Sequence, residues 1–343
     1  MQGKYWKIPA FALVLSFCMS SPRLSAQAGK YAASFLEIGV GARALGMGGA
    51  YIALSRDISA FHWNPAGLGY LKRPQLAFMY ASQFGSLASP LASFNHLGAA
   101  MSLPGGAGVA INWVRLASDQ IPIYPELSGE NLGQRLRNPE LRPDGQPLGY
   151  FSDVENAFYF SFARLTSFEM DWGYNTLSFP VEIPIGVNLK YIQQTLFDKS
   201  ATGFGIDIGA MIRLGVAEMF NEESLGKLAF GFLVQDVTTT VLTWSTRKRD
   251  AIAPKYRWGM AYEQPLDWIH GSVTVSWQTR GRYGRNNHVG LEVNSRAFFL
   301  RIGTSDGKLT AGTGMHVWRV NLDYAFVGYE VGNVHRLSAT IEL

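Results

Sequence analysis

A two-residue alternation of apolar and polar side chains recurs from about residue 75 to residue 343, and it constrains the fold more than any other feature. In the last such segment, the apolar positions are Leu337, Ala339, Ile341 and Leu343. The polar positions between them are Arg336, Ser338, Thr340 and Glu342. Successive side chains of a β-strand point to opposite faces, so this period predicts strands with one apolar and one polar face. We therefore expect an all-β fold.

The alternation predicts fourteen strands, separated by turn signals such as Pro104-Gly105-Gly106 and Ser305-Asp306-Gly307. They lie near residues 75–82, 92–102, 106–116, 151–166, 181–195, 201–214, 226–236, 254–264, 270–280, 287–294, 296–303, 309–317, 320–327 and 334–343. Single-chain bacterial outer-membrane barrels have an even number of antiparallel strands, each about 9–11 tilted residues long. The sequence thus predicts an antiparallel transmembrane β-barrel, which we assign to the bacterial cell outer membrane and its lipid bilayer.

Composition agrees with an envelope β-protein and leaves one soluble alternative. Hydrophobic residues make up 47% of the chain and charged residues 16%, against roughly 25% charged in typical soluble domains. A β-sandwich is the soluble alternative, but fourteen strands with apolar, aromatic faces are too hydrophobic for it. The net charge is only +4 and no Lys/Arg cluster indicates nucleic-acid binding.

The first 26 residues have the layout of a secretory signal peptide. Lys4 and Lys7 precede an apolar run over residues 8–19, and a small-residue cleavage site precedes Gln27. A transmembrane anchor is less consistent, because a spanning helix needs about 20 apolar residues. We predict processing between Ala26 and Gln27, which removes Cys18, the only cysteine.

A glycine-rich stretch over residues 39–69 lies between the signal peptide and the strands. Glycine accepts positive φ and close backbone approach, so this stretch suits a compact irregular element held inside a larger structure. We predict that residues 27–73 form a hatch in the lumen of a barrel made by residues 74–343. Arg43 and Asp57 are expected to meet charges of the wall, and Asn64-Pro65 to lead into the first strand.

The polar faces of the predicted strands carry balanced charge. The acids are Glu182, Asp207, Glu263, Glu292, Asp323 and Glu342. The bases are Lys190, Arg213, Lys255, Arg257, Arg301 and Arg336. The apolar inward positions are Val114, Ile192, Met211, Leu233 and Phe299. Equal numbers of both signs indicate paired charges around a filled lumen more than a charge-selective pore.

One connection, residues 117–151, is long and contains five of the fifteen prolines. Loops of this length are usually functional or disordered. Its apolar residues Ile121, Tyr124 and Leu127 have no predicted core to join, so we expect them to contact a protein partner outside the cell. The alternative is that the loop folds over the mouth of its own barrel.

Motifs for chemistry are weak. Residues 39–44 match G-x-G-x-x-A with Asp57 downstream, but a dinucleotide site needs a βαβ unit, and strands alone follow. The six histidines are scattered without metal-ligand spacing, and no nucleophile motif occurs. We expect no cofactor, no metal and no enzymatic activity.

The stretch GARALGMGGAYIAL, followed by D-x-S-A and NPAGL, resembles the amino-terminal hatch signature of FadL-type outer-membrane barrels. The hatch-motif residues are Gly41, Arg43, Gly46, Gly48, Gly49, Asp57, Asn64, Pro65 and Gly67. Residues 35–51 and 62–68, a middle segment 232–240 with Trp244, and the closing segments 323–326 and 332–338 are more similar to the PorV/PorQ branch.

The resemblance implies a fourteen-stranded barrel with a hatch. The PorV/PorQ branch implies a part in type IX protein secretion, as shuttle or anchor for secreted proteins with a carboxy-terminal sorting domain. The implied partners are other outer-membrane secretion components and sorting-domain cargo proteins. The alternative is a FadL-like transporter for hydrophobic compounds such as long-chain fatty acids, which requires an apolar lumen pocket.

Overall fold

The structure is a computed structural model that describes residues 27–28, 32–85, 90–124, 131, 133–134, 147–171, 178–281, 285–329 and 332–343. The predicted signal peptide, its processing site and Leu127 lie outside the described residues. Nearly all of the described chain after residue 74 is β-strand.

The strands after residue 74 are numbered in chain order. They are β1 Gln75–Gly85, β2 Pro90–Leu103, β3 Ala107–Ile123, β4 Gly149–Asp171, β5 Ser178–Leu196, β6 Lys199–Gly215, β7 Lys227–Gln235, β8 Thr240–Trp244, β9 Arg249–Ile252, β10 Lys255–Leu266, β11 Gly271–Gly281, β12 Arg285–Ser295, β13 Phe298–Ser305, β14 Lys308–Val317, β15 Val320–Tyr329 and β16 Gly332–Glu342. Each of the fourteen predicted strands is present, with ends that differ by a few residues.

The sheet closes on itself. Neighbouring strands pair antiparallel, and β16 pairs with β1 from Glu342 opposite Gln75 to His335 opposite Ser82. Strand β8 continues β7 along the wall, and β9 continues β10 in the same way. If each such pair is counted as one continuous strand, called a stave, the sixteen strands make fourteen staves. The predicted fourteen-stranded antiparallel barrel is confirmed.

The stave formed by β7 and β8 contains a bulge that the alternation did not predict. Between the pairs Ile208–Val234 and Thr202–Thr243, the β7–β8 segment holds three residues more than β6. Asp236 and Thr239 have φ of 56° and 58°, which turns the chain out of the ladder. A bulge of this kind increases local twist and redirects side chains, and it points Asp236 into the interior.

The barrel has two distinct ends. The terminal side holds Pro74 and Leu343, whose backbones are hydrogen-bonded at 2.9 Å. The opposite end, called the loop side, holds the connection between β3 and β4 and the Asp306-Gly307 turn. The sequence interpretation of residues 117–151 as one loop is wrong at its ends. Strand β3 continues to Ile123 and β4 begins at Gly149, because the two strands pair beyond their neighbours.

The outward face is apolar along the staves. On β4, Phe158, Phe160 and Phe162 are exposed, whereas Tyr159 and Ser161 between them are buried in the lumen. An outward apolar band around a closed barrel leaves no unpaired strand edge in lipid, and it is the surface of an outer-membrane barrel. The outer-membrane location is confirmed. Among the described helices, none combines the length and apolar character needed to cross a bilayer.

Residues 32–73 lie inside the barrel. The 3₁₀ helix Ser34–Glu37, helix α1 Ala42–Gly46, helix α2 Ala60–Trp63 and the 3₁₀ helix Pro65–Tyr70 follow one another across the lumen. Helix α1 packs against β13 to β16, and the second 3₁₀ helix packs against β2 to β6. The segment therefore bridges opposite walls. The domain limits at residues 26 and 73 stay predictions.

The expected direct step from Asn64-Pro65 into the first strand is wrong. Asn64 is extended at φ −166°, as a residue before proline prefers. Pro65, however, opens a six-residue 3₁₀ helix, because its fixed φ suits a first helical position and its missing N–H is not needed there. Strand β1 begins only at Gln75.

Candidate functional site

The candidate site is the contact between the hatch, residues 32–73, and the lumen wall. Helix α1 begins after Gly41, whose φ of 85° is a backbone conformation that glycine adopts without strain. This turn aims Arg43 at β12. The Arg43 guanidinium donates from Nη2 and Nε to the two carboxylate oxygens of Glu292 at 2.7 and 2.9 Å. Such a bidentate pair fixes orientation as well as charge.

A belt of wall glycines faces the backbone of the hatch. On the β13–β14 side, Gly312 lies against Gly46, and a Cβ added to Gly46 would be 3.0 Å from the Cα of Gly312. Similar contacts bring Gly290 and Gly303 against Met47. On the opposite wall, Gly108, Gly186 and Gly231 lie against hatch backbone in the same way, whereas Gly209 and Gly259 lie against the side chains of Asn64 and Ile52. Because these positions carry no side chain, the hatch backbone packs directly on the wall backbone.

The remaining glycines of the hatch motif shape the hatch itself. Gly48 and Gly49 have φ of 67° and 77°, so they form a turn that other residues would strain. A Cβ at Gly48 would be 2.7 Å from the backbone nitrogen of Thr304. Gly67 sits against the Ser55 carbonyl, where a Cβ would overlap it. The motif glycines thus serve turns and close backbone contacts.

Asp57 and Asn64 hold the hatch together. Asp57 accepts a hydrogen bond from the Tyr51 hydroxyl at 2.8 Å and from the Ser59 amide at 2.8 Å. The expected contact of Asp57 with a wall charge is not among the described ion pairs. The Asn64 amide donates to the carbonyl oxygens of Ile52 and of Ala210 in β6, at 3.1 and 3.0 Å. Asn64 therefore connects two parts of the hatch to the wall.

Most of the predicted lumen charges fall into four paired groups, the fourth of which joins Lys255 and Arg257 to Glu37 of the hatch. Glu292 and Asp323 bind Arg301 at 2.6 Å each, and Arg43 of the hatch joins this group. Glu263 binds Arg56 of the hatch at 2.9 Å and Arg213 at 3.2 Å, and Arg213 also lies 3.6 Å from Glu182. Charges this deep are costly unless paired, so the pairs keep the lumen filled.

The third group lies at the β7–β8 bulge. The Lys190 ammonium binds the carboxylates of Asp207 and Asp236 at 2.7 Å each. The Asp236 amide donates to Asp207 at 2.9 Å, and the Thr240 hydroxyl donates to Asp236 at 2.6 Å. Sequence reasoning missed Asp236, because its face could not be read without the bulge. It also missed Glu37, which pairs with Lys255.

Burial sets the protonation of the hatch residues. Burial, reinforced by the nearby Arg257 charge, holds the pKa of His62 well below its usual value, so its imidazole is neutral. Burial also raises the pKa of the Tyr51 phenol, so it stays a hydrogen-bond donor. Burial alone would lower the pKa of Arg43, but the Glu292 carboxylate outweighs it, and the net shift is upward.

Two cavities flank the hatch. The loop-side cavity has about 400 Å³ and reaches from Trp63 and Leu116 to Asp306 in the β13–β14 turn. The terminal-side cavity has about 200 Å³ and is lined mainly by polar residues, among them Asp57 and Glu342. The hatch separates the two.

The β3–β4 end forms an arm beyond the neighbouring strands. Ile121 pairs with Phe151, while β2 pairs with β3 only from Ser93 opposite Ala117. Ile121 is half-buried, and Tyr124, directly after β3, is 53% exposed. Leu148 and Tyr150 of the arm are also exposed, and Tyr150 shares the outward face of β4 with Phe158.

Among the described residues, neither a metal-ligand cluster nor a βαβ unit is present. Within the described part of the chain, no group of three His, Cys, Asp or Glu side chains could hold a metal ion. The lumen histidines contact the hatch instead: His288 Nδ1 lies 2.7 Å from the Gly48 carbonyl oxygen, and His96 stacks on Phe61. Residues 39–44 enter the five-residue helix α1 and no βαβ unit.

The known proteins to which this chain is similar are distant. Residues 14–116 match the model of an uncharacterised protein family, UPF0164. No curated protein matches the chain. Among solved structures, the Ralstonia pickettii toluene transporter TbuX is 12% identical, with 88% of this chain and 97% of TbuX covered and a TM-score of 0.43. The monoaromatic hydrocarbon channel CymD is 11% identical, with 89% and 98% covered and a TM-score of 0.46.

The Acinetobacter baumannii outer-membrane protein Omp33 is 8% identical, with 79% of this chain and 98% of Omp33 covered and a TM-score of 0.40. Likenesses this distant do not transfer a function, since function is located in sites and not in folds. From its own geometry, the chain is an outer-membrane β-barrel whose lumen is occupied by its amino-terminal segment.

Proposed function

We propose that this protein is a docking barrel of the PorV/PorQ type in type IX secretion, which binds protein partners at its loop side and passes no solute through its lumen. The observation that carries the proposal is the hatch, which contacts the wall backbone at Gly290, Gly303 and Gly312 and binds Glu292 through Arg43. If the hatch left the lumen, it would lose both the backbone contacts and the ion pairs with the wall, and the free-energy cost would be large.

The arm offers the surface for such partners. Its outward face presents Pro122, Tyr124, Leu148 and Tyr150, and the arm extends past the strands on both sides. Exposed aromatic clusters mark interaction sites, because aromatic anchors contribute most to interface energies. We assign the loop side to the cell exterior, where outer-membrane barrels carry their longer loops. The partners are secretion components and sorting-domain cargo proteins.

Co-purification tests this proposal. We expect a Tyr124→Ser/Tyr150→Ser variant to lose co-purification with a type IX component or sorting-domain cargo, since both aromatic anchors are gone. The matched control is Leu309→Ser, which removes an equally exposed apolar side chain from a different stave at the loop side. Deleting residues 119–149 should give the same loss with the barrel intact. Retained complexes in the double variant and in the deletion, or loss in the Leu309→Ser control as well, contradict the proposal.

The loop-side cavity favours a second candidate, a FadL-like transporter of hydrophobic compounds. Leu45, Trp63, Leu116 and Val327 supply apolar lining to this cavity of about 400 Å³, within the usual size of ligand pockets. Uptake of radiolabelled fatty acid by cells with the wild-type barrel, together with complexes that survive the arm variants, would replace the docking function with transport.

A further inference from the structure

The loop-side cavity carries more positive than negative charge. Its basic lining residues are Arg257, Lys308 and Arg336, and its acidic ones are Glu37 and Asp306. Glu37 is also paired with Lys255, and Asp306 accepts a hydrogen bond from Asn286 at 2.9 Å. Three bases against two acids leave the lining with one positive charge in excess, which favours an anionic group entering from the loop side.

Among these basic residues, Arg257 is the one that can bind an anion most directly. Arg257 is buried, with a relative exposure of 2%, and its Nη2 lies 3.6 Å from a Glu37 carboxylate oxygen. Its Nε has no hydrogen-bond partner among the described residues. A buried donor without a partner is costly, so a bound acceptor would recover that energy. The planar guanidinium fork matches the geometry of carboxylates and phosphates.

A second unpartnered donor lines the same cavity from the opposite side of the barrel, since Gln83 lies on β1, seven staves away from Arg257 on β10. The Nε2 of Gln83 has no hydrogen-bond partner in the described part of the chain, and Gln83 is 6% exposed. Gln278, Ser305 and Thr310 add further polar groups to the lining. A hydrocarbon chain would leave these groups without water or a partner, whereas the amides of a peptide backbone can bond to them.

We propose that the loop-side cavity binds the C-terminal carboxylate of an extended peptide. The carboxylate meets Arg257, a peptide group further along the bound chain meets Gln83 on the opposite side of the cavity, and small apolar side chains pack on Leu116 and Val327. Capture of a terminal carboxylate by donors at the end of a groove is a known mode of peptide recognition. The identification of the peptide with a secreted cargo rests on the proposed function, but the cavity chemistry does not.

Peptide titration of the purified full-length barrel in detergent tests this site. The probes are N-acetyl-tetraalanine as the free acid, the same peptide as the C-terminal amide, and octanoate, with Trp63 fluorescence or calorimetry as the readout. We expect the acid to bind at least tenfold more tightly than the amide, and octanoate to bind more weakly than the acid. Equal affinity for acid and amide, tighter binding of octanoate, or no binding of the acid overturns the proposal.

Two variants distinguish a loss of peptide binding from a general loss of stability. Arg257→Gln should abolish the preference for the acid over the amide. Because Arg257 also lies near Glu37, a second variant, Ala92→Phe, fills the cavity without removing a charge. Its matched control is Leu91→Phe, at the next position on β2, where the side chain is 70% exposed. Ala92→Phe should block binding and Leu91→Phe should not. The same affinity in both variants overturns the site.

This experiment and the co-purification experiment fail independently. If the cavity binds the peptide but no secretion partner co-purifies, the proposed peptide site stands and the proposed secretion function is contradicted. Loss of partners in the arm variants, with no peptide bound in the cavity, keeps the docking function and removes the site.

Discussion

Adding one methyl group to the wall at Gly290 should loosen the hatch. A Cβ at this position would lie 2.5 Å from the Met47 carbonyl oxygen and 2.8 Å from its Cβ, against 3.4 Å or more in ordinary contact. The φ of Gly290 is not positive, so alanine fits the strand itself and the whole cost falls on the hatch contact. Met47 is fully buried and cannot turn away without moving the α1 turn.

The magnitude follows from the size of that overlap. The hatch backbone would have to retreat by about 0.9 Å at Met47, and overpacking of this kind costs about 1–3 kcal/mol. At about 1.4 kcal/mol per factor of ten, Gly290→Ala should raise the local opening of the hatch roughly 5- to 140-fold. The four amides that report it are those of Gly48, Gly49, Ala50 and Tyr51, each hydrogen-bonded within the turn.

Hydrogen–deuterium exchange of a peptide covering residues 44–54 measures this opening. Gly328→Ala is the matched control, because a Cβ there would meet nothing closer than 3.8 Å. We expect faster exchange in Gly290→Ala and unchanged exchange in Gly328→Ala, with the barrel itself intact on an unboiled gel. Equal exchange of residues 44–54 in the two variants would refute the idea that wall glycines hold the hatch.

Three further predictions concern the hatch. Arg43→Gln should loosen it by about 1.5–3 kcal/mol, since the buried carboxylate of Glu292 on β12 loses one of its two charged hydrogen-bond partners. Exchange of residues 44–54 measures this, and Arg73→Gln, which removes an exposed ion pair, should change nothing. Because the pKa of His62 is lowered by folding, the unfolded chain binds more protons below about pH 6.5. The free energy of unfolding should then fall as pH drops below that value. The thermal midpoint should differ less between about pH 5 and pH 7 in His62→Gln than in the wild type. Asn64→Ala should lower stability by about 1–3 kcal/mol, measured as the thermal midpoint, because two carbonyl oxygens lose their donor.

The sequence alone determined the strands and their two faces. The alternation on the last segment, from Leu337 to Leu343, is a local property of extended backbone, and β16 has that face pattern. The inward charges were predicted for the same reason. Glycines such as Gly48 could be assigned to turns or close contacts, since few other residues accept those conformations.

The pairing of those charges and the fit of the hatch were decided by the tertiary structure. Arg43 and Glu292 are 249 residues apart in the chain, and nothing local says that they meet. The bulge takes Asp236 out of the alternation, so its place beside Lys190 and Asp207 could not be predicted from the sequence pattern. The long arm arises because β3 and β4 pair beyond their neighbours. Contacts across a lumen depend on register and on where the hatch sits, and both are settled only when the barrel closes.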